Sequence, residues 1–228
     1  ITPLYGLVYN DGGYHVIGYD SGESVYIDNL VDNDPPTTVE LINGSVVIEV
    51  RLWNSGKVVF NGGRSKLEPQ AKDNSSVIVN NGLLRAYVGY DNSRFEVYGG
   101  EIERYVLLHD QSTAVISGGS FGEEFQARQE SEIYIVGSDF KVNGVSVGLY
   151  EDIKQYADYE DISDGTYGYT GILTGRLADG SYLCNRFEIY DRYYGDRIGE
   201  NDANIFLVPE PCSVVLFGFG GFLVFQIG

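Results

Sequence analysis

Two histidines, two cysteines and a large excess of carboxylates are the groups in this chain that could do chemistry. His109 is followed by Asp110, and a His–Asp pair can orient an imidazole as a general base. Such a base needs a nucleophile presented beside it. No G-x-S-x-G or comparable motif offers one, nor is there a phosphate-binding loop. His15 stands in the alternating stretch GYHVIGY, where an imidazole reads as a structural side chain. Cys184 and Cys212 are too few for a disulfide framework and have no metal-ligand partners at useful spacing. One disulfide and two separate thiols both remain open.

Asp and Glu number 33 against 15 Lys and Arg, a net charge of -18. A phosphate-binding face needs clustered cations, so nucleic acid is excluded as a partner. Such a surface is solvated and soluble, or in dense arrays collects cations. Two carboxylates a few ångströms apart could hydrolyse a glycoside. Glu96 with Glu132, or Asp110 with Glu130, would do so if the fold stacked them. In a chain this acidic, neighbouring acids also arise by chance. The segments DNDPPTT and YEDISDG offer clustered oxygen ligands, but neither matches the twelve-residue calcium loop. They read as polar turns, and no cofactor or metal site is expected. Tyrosines near residues 150–170 and in DRYYGDR suit sugar stacking, subunit contacts or plain strand positions.

What must position these groups is a repeat. The stretches NSGKVVFNGG, NSSVIVNNG, NSRFEVYGG, QSTAVISGG and ESEIYIVGS align on Ser55, Ser75, Ser93, Ser112 and Ser131, at spacings of 20, 18, 19 and 19. TTVELINGS precedes them, with Thr37 in the serine place. Alternate residues are apolar, as in a half-buried strand. The inward pairs are Val39/Leu41, Val58/Phe60, Val77/Val79, Phe95/Val97, Ala114/Ile116 and Ile133/Ile135. Gly62-Gly63, Asn81-Gly82, Gly99-Gly100 and Gly118-Gly119 follow, where the chain can turn a corner at positive φ. A second strand such as RAYVGYD, RYVLLHD or EFQARQE completes each unit.

Strand, corner, strand, corner at this period predicts an all-β, single-stranded parallel β-helix of about six coils. The rival is an antiparallel sandwich, whose strands recur at similar distances. The in-phase serines and glycines favour the solenoid. Asn54, Asn74, Asn92 and Gln111 are expected to form a stacked amide ladder at one corner. Residues 1–34 read as an N-terminal cap, 35–147 as the repeats and 148–208 as a β-rich extension. Within the extension, residues 149–171 read as an exposed loop, 171–191 as a hairpin turning at Asp179-Gly180, and ANIFLV as a last strand.

Residues 212–228, CSVVLFGFGGFLVFQIG, carry no charge. Pro209-Glu210-Pro211 ahead of this run resembles the sorting tail of PEP-CTERM proteins, which Gram-negative bacteria export and process through an exosortase. The resemblance covers about the last 21 residues, Val208–Gly228. The repeats also resemble those of surface proteins that carry this tail. The resemblance implies export, a location outside the cell or on its surface, and a structural part in matrix or biofilm. The family's closing arginines are absent: the chain reads FQIG. The start, ITPLYGLVYN, is what a cleaved, exported chain would show.

The uncharged run, about 17 residues, is short for a membrane span, which wants about 20. It is also rich in strand formers. Residues 209–228 read as one tail unit, with sorting or assembly residues Pro209, Glu210, Pro211, Val214, Val215, Leu216, Phe217, Phe219, Phe222, Leu223, Val224 and Phe225. The expectation is a non-enzymatic extracellular structural protein. It forms a homo-oligomer or polymer, such as a filament, with the tail buried in a neighbouring subunit or in a membrane. The alternative is a surface-anchored β-helix that binds or degrades extracellular polysaccharide.

Overall fold

The computed structural model describes residues 6–28, 35–163, 166–190 and 202–210, and the backbone of 216–218 and 221–223. Its central body is a stack of short parallel strands, a β-solenoid of about seven coils. The antiparallel sandwich is excluded, because equivalent strands of successive repeats pair in parallel and in register.

Each coil has three faces rather than two. The first face begins with Tyr14–Ile17 and Thr38–Ile42. It continues through 57–60, 76–79, Arg94–Val97, Thr113–Ile116 and 132–136 to Asn204–Val208. The second face is only two residues long in each coil: Val46–Val47, 64–65, 83–84, Glu101–Ile102 and Ser120–Phe121. The third face runs from Gly6–Tyr9 and Ser24–Ile27 through Val50–Leu52, Gln70–Ala71, Tyr87–Gly89, Val106–Leu108 and Glu124–Ala127 to 186–189. The second face hides in the sequence because two residues cannot display an alternation.

All twelve residues of the expected inward pairs are fully buried. They meet the third-face side chains Ile27, Leu52, Leu108, Phe125 and Phe187 in one apolar core. Tyr87 and Phe95 stack there with ring centroids 3.9 Å apart. A coil buries its apolar side only against its neighbours, so stacking supplies the core.

The serine column is real from Ser75 onward, but Ser55 does not belong to it. Lys57 pairs with Thr38 and Ser76, which puts Gly56 over Thr37 and under Ser75. The place is a buried inner corner. A Cβ on Gly56 would come within 3.0 Å of Ile27, so only a very small residue fits. The second corner is lined by Gly62, Gly82, Gly100 and Gly119 at φ of 122°, 126°, 84° and 96°. At Gly82 a Cβ would lie 2.5 Å from the Gly63 carbonyl of the coil before, so the stack itself demands glycine there.

Residues 14–27, expected as part of a cap, follow the three-face path and form the first coil. At the other end the chain leaves the stack. After Val136 it runs on to Val142, turns at Asn143-Gly144 and returns through Val145–Ser146. A 3₁₀ turn, Ile153–Tyr156, leads to the antiparallel strands Asp158–Ser163, Thr166–Leu177 and Tyr182–Tyr190. The stretch expected as an exposed loop is therefore largely paired strand. The hairpin turn sits at Asp179-Gly180, as expected, with Gly180 at φ 86°. The end of the returning strand lies parallel on Glu124–Ala127 and supplies the third face of the seventh coil.

Candidate functional site

The corner that carries the repeat's polar residues is a hydrogen-bonded ladder that keeps Asn54 as expected but otherwise runs one residue earlier than Asn74, Asn92 and Gln111. Asn54, Asp73, Asp91, Asp110 and Gln129 stack at φ of 53° to 60°, each opening a tight turn. The backbone N–H of each of the first four donates to the next one's side chain. The distances are 2.9 Å to Asp73, 3.1 Å to Asp91, 3.1 Å to Asp110 and 2.7 Å to Gln129. A residue at this dihedral aims its N–H along the stack axis, away from its own turn. The acceptor in reach is the next coil's side-chain oxygen, a carboxylate at the first three steps and the Gln129 amide at the last. Asn74, Asn92 and Gln111 occupy the adjoining turn position, and Gln111 donates to Glu130 at 2.8 Å.

The glycosidase pairs come apart. Glu96 and Glu132 stand two coils apart in different columns, since Arg94 aligns with Thr113 and then Glu132. Glu96 accepts from Arg94 at 2.6 Å and Tyr98 at 2.5 Å, and Glu132 accepts from Tyr134 at 2.5 Å. Burial pushes the Tyr98 hydroxyl up to about 12, helped by the Glu96 carboxylate beside it. Asp110 and Glu130 do lie in adjacent coils, joined by a backbone bond from Glu130 N–H to Asp110 C=O. Their carboxylates serve separate columns.

His109 stacks on Tyr90 at 4.9 Å, and the Lys72 ammonium lies over the same Tyr90 ring at 5.3 Å. Burial, aided by the charge of Arg128, lowers its pKa, so the imidazole is a neutral stacking ring at neutral pH. His15 packs 4.5 Å from Tyr9 and meets Asp11 at 2.8 Å. Among the described residues no group of three or more His, Cys, Asp or Glu side chains is arranged to hold a metal. Cys184 is exposed on its strand, and Cys212 lies outside the described residues.

One polar constellation was not legible beforehand. On the outer side of the third face, Glu124, Gln126 and Arg128 of the sixth coil meet Arg186, Glu188 and Tyr190 of the returning strand. Arg186 reaches Glu188 at 2.9 Å, and the Tyr190 hydroxyl donates to Glu188 at 2.9 Å. Arg128 donates to Tyr190 at 3.2 Å and lies 4.3 Å over its ring. Glu188 is almost fully buried. Desolvation, together with the nearby Glu124, raises its pKa, against the lowering pull of Tyr190 and the arginines. The cluster welds the returning strand to the stack. The signal was the match between E-x-Q-x-R and R-x-E-x-Y, two alternating polar runs about 60 residues apart.

The two ends of the stack differ in kind. At the C-terminal end Ile153 is fully buried over the seventh coil with Val147, and Tyr156 and Ala157 pack beside them. Tyr150 N–H donates to the Leu207 carbonyl at 2.9 Å, closing part of the edge of the last first-face strand. On the third face, 166–172 and then Asp158–Ser163 continue beyond 186–189 in antiparallel sense. The outermost of these strands carries Asp158, Glu160 and Asp161, charges that discourage edge pairing. At the N-terminal end Gly6–Tyr9 and Tyr14–Ile17 have partners on one side only among the described strands. Neither carries an acidic residue or a lysine, and Val8, Tyr14 and Val16 are at least half exposed.

Of the tail residues, Pro209 and exposed Glu210 follow directly on the last first-face strand, outside its ladder. Leu216 and Phe217 pair with Leu223 and Phe222 in a short antiparallel backbone ladder. Pro211, Val214, Val215, Phe219, Val224 and Phe225 lie outside the described residues. No described helix is long and apolar enough to cross a membrane. No family model, curated protein or solved structure matches this chain.

Proposed function

We propose that this chain is a non-enzymatic structural protein of the cell surface or extracellular matrix. It builds extended material by self-association, with its apolar C-terminal segment buried in a neighbouring copy rather than in lipid. The observation that carries this reading is the inequality of the two ends of the stack: one partly covered by its own excursion, whose outermost strand bears carboxylates, the other presenting, among the described residues, two uncovered strands without acids. Two different ends favour a heterologous contact, and a heterologous contact that does not close on itself propagates as a filament. The dense surface charge keeps the long sides of such subunits apart.

The test is negative-stain imaging and light scattering of the full chain beside a variant lacking residues 212–228. Fibres or sheets from the full chain and single particles from the truncation support the reading. Monomers from both, or equal polymerisation by both, defeat it. Partition of the monomeric full chain into vesicles favours the membrane as the tail's resting place.

A second reading has one observation in its favour. Tyr159 and Tyr167 stack at 6.0 Å on the exposed side of the excursion. Exposed rings of this kind suit sugar faces. Binding of extracellular polysaccharide that is lost on substituting both tyrosines, with assembly unchanged, would select that reading.

A further inference from the structure

We propose that the N-terminal end of the solenoid is the acceptor for the apolar segment 212–228 of a second copy, which adds strands to the edges Gly6–Tyr9 and Tyr14–Ile17. This rests on the self-association reading above.

The edge is built to receive a strand. Asp28 N–H donates to the Tyr9 carbonyl and Thr38 N–H to the Gly13 carbonyl. Alternate residues of a strand send their backbone groups to opposite neighbours. Tyr9 and Gly13 therefore face into the stack, whereas Val8, Tyr14 and Val16 present N–H and C=O away from it. Among the described residues nothing pairs with those groups. Solenoid ends and sheet edges are ordinarily covered or charged because they template further strands. Among the described residues the two strands of this end are neither, whereas the opposite end is partly covered by the excursion and its outermost antiparallel strand is charged.

The occupant follows from composition and reach. Residues 212–228 carry no charge and are rich in Val, Phe and Leu. Their backbone already forms a two-stranded ladder at 216–218 and 221–223. Strand addition matches main-chain groups and sorts alternate side chains, which such a segment can satisfy. As a hairpin, the chain's own tail does not reach. Eight first-face strands separate Tyr14–Ile17 from Asn204–Val208 inclusively. At about 4.8 Å per strand, an added strand beyond Tyr14–Ile17 lies about 38 Å from the last one. The eight residues from Val208 to Leu216 span at most about 28 Å. The short hairpin therefore meets this edge only on another molecule.

Two variants separate donor from acceptor. Removing 212–228 leaves an acceptor-only chain. Val8→Pro with Val16→Pro deletes two outward N–H groups that make no bond inside the stack, leaving a donor-only chain. Val8→Lys with Val16→Lys is the parallel version, since both side chains are at least half exposed and tolerate charge. Unchanged circular dichroism and melting temperature identify folded variants. Size-exclusion chromatography with light scattering is then run on each chain and on their equimolar mixture. The expected result is multimers from the unaltered chain, assembly at least about tenfold weaker for either variant alone, and a mixture that stops at a one-to-one dimer.

No dimer in the mixture, with the unaltered chain still multimeric, overturns the acceptor assignment while self-association stands. Multimers from the truncated chain alone overturn the donor. A monomeric unaltered chain overturns the self-association reading and this proposal with it.

Discussion

The coils between residues 38 and 127 and the excursion between 137 and 190 are both nearly pure β-structure, yet they are held by different means. In the coils, each residue's neighbours are its equivalents one period away. One favourable residue type is repeated, and its contact recurs along the stack. In the excursion, strands pair antiparallel around the turns Asn143-Gly144 and Asp179-Gly180, and each contact occurs once. The coils depend on columns, the excursion on individual anchors such as Ile153 and Asp179. Damage should therefore spread in the first region and stay local in the second.

The largest effects come from the core. Phe95 is fully buried in the middle of the stack against Tyr87, and Phe95→Ala should cost about 3–5 kcal/mol. Because neighbouring coils bury one another, hydrogen exchange should lose protection throughout 38–127. Ile153→Ala should cost about 2–4 kcal/mol, but accelerated exchange should be confined to 147–163 and 204–208. Identical exchange maps for the two variants would erase the distinction between the regions.

The glycine corners sharpen it. At Gly82, φ is 126° and a Cβ would sit 2.5 Å from the Gly63 carbonyl, so Gly82→Ala carries both backbone strain and a clash. A loss of about 2–3 kcal/mol is expected. Gly180 has φ 86° but open space around it, and Gly180→Ala should cost about 1 kcal/mol. Urea denaturation compares them directly. Equal losses would mean that crowding by the preceding coil adds nothing to the dihedral cost.

The same contrast explains what could be read in advance. Periodicity exposes whatever repeats: the inward pairs, the glycine corner, the parallel stacking. It mistook Ser55 for Gly56 because an Asn-Ser pair there mimics the turn, and only pairing register reveals which residue fills the inner corner. It missed the second face because two residues are too short to alternate. The excursion has no internal copy for comparison, so the strand at 158–163 was hidden behind its acids and tyrosines. The Glu188 cluster joins residues about 60 apart, a distance set by the excursion's length and by nothing local. The corner ladder was legible as polar and stacked, but its column depends on which residue takes positive φ.

That ladder gives a smaller test. Asp91 holds φ 56° and accepts the Asp73 N–H. Asp91→Ala should cost about 1 kcal/mol through the lost acceptor and the unfavourable dihedral. Asp91→Asn keeps both and should stay within about 0.5 kcal/mol. If Asn is as costly as Ala in thermal unfolding, the charge, not the acceptor, is what the corner uses.

The smallest effect is expected where the excursion is pinned back onto the coils. Asp179 accepts the Gly119 N–H at 2.8 Å, and the Ser181 N–H and hydroxyl at 2.9 and 2.6 Å. Partial burial alone would raise its pKa. The Ser181 hydroxyl and the N–H groups of Ser181 and Gly119 outweigh that and hold it below the ordinary 3.8. A depressed carboxylate stabilises the fold above its unfolded value, and that contribution is lost as pH falls through the lowered folded value. Glu188 has the opposite sign. Burial raises its pKa above the ordinary 4.5, so its contribution is full below that value and is lost as pH rises through the raised one. Acidification should therefore free the hairpin tip, residues 178–182, while 186–189 stay fixed to the sixth coil. Comparing opening free energies from hydrogen exchange at low and near-neutral pH, after correction for intrinsic rates, reads both segments at once. The tip should open roughly severalfold more often in acid, and Asp179→Asn should flatten that response. An acid response that survives Asp179→Asn would place the pin elsewhere in the turn.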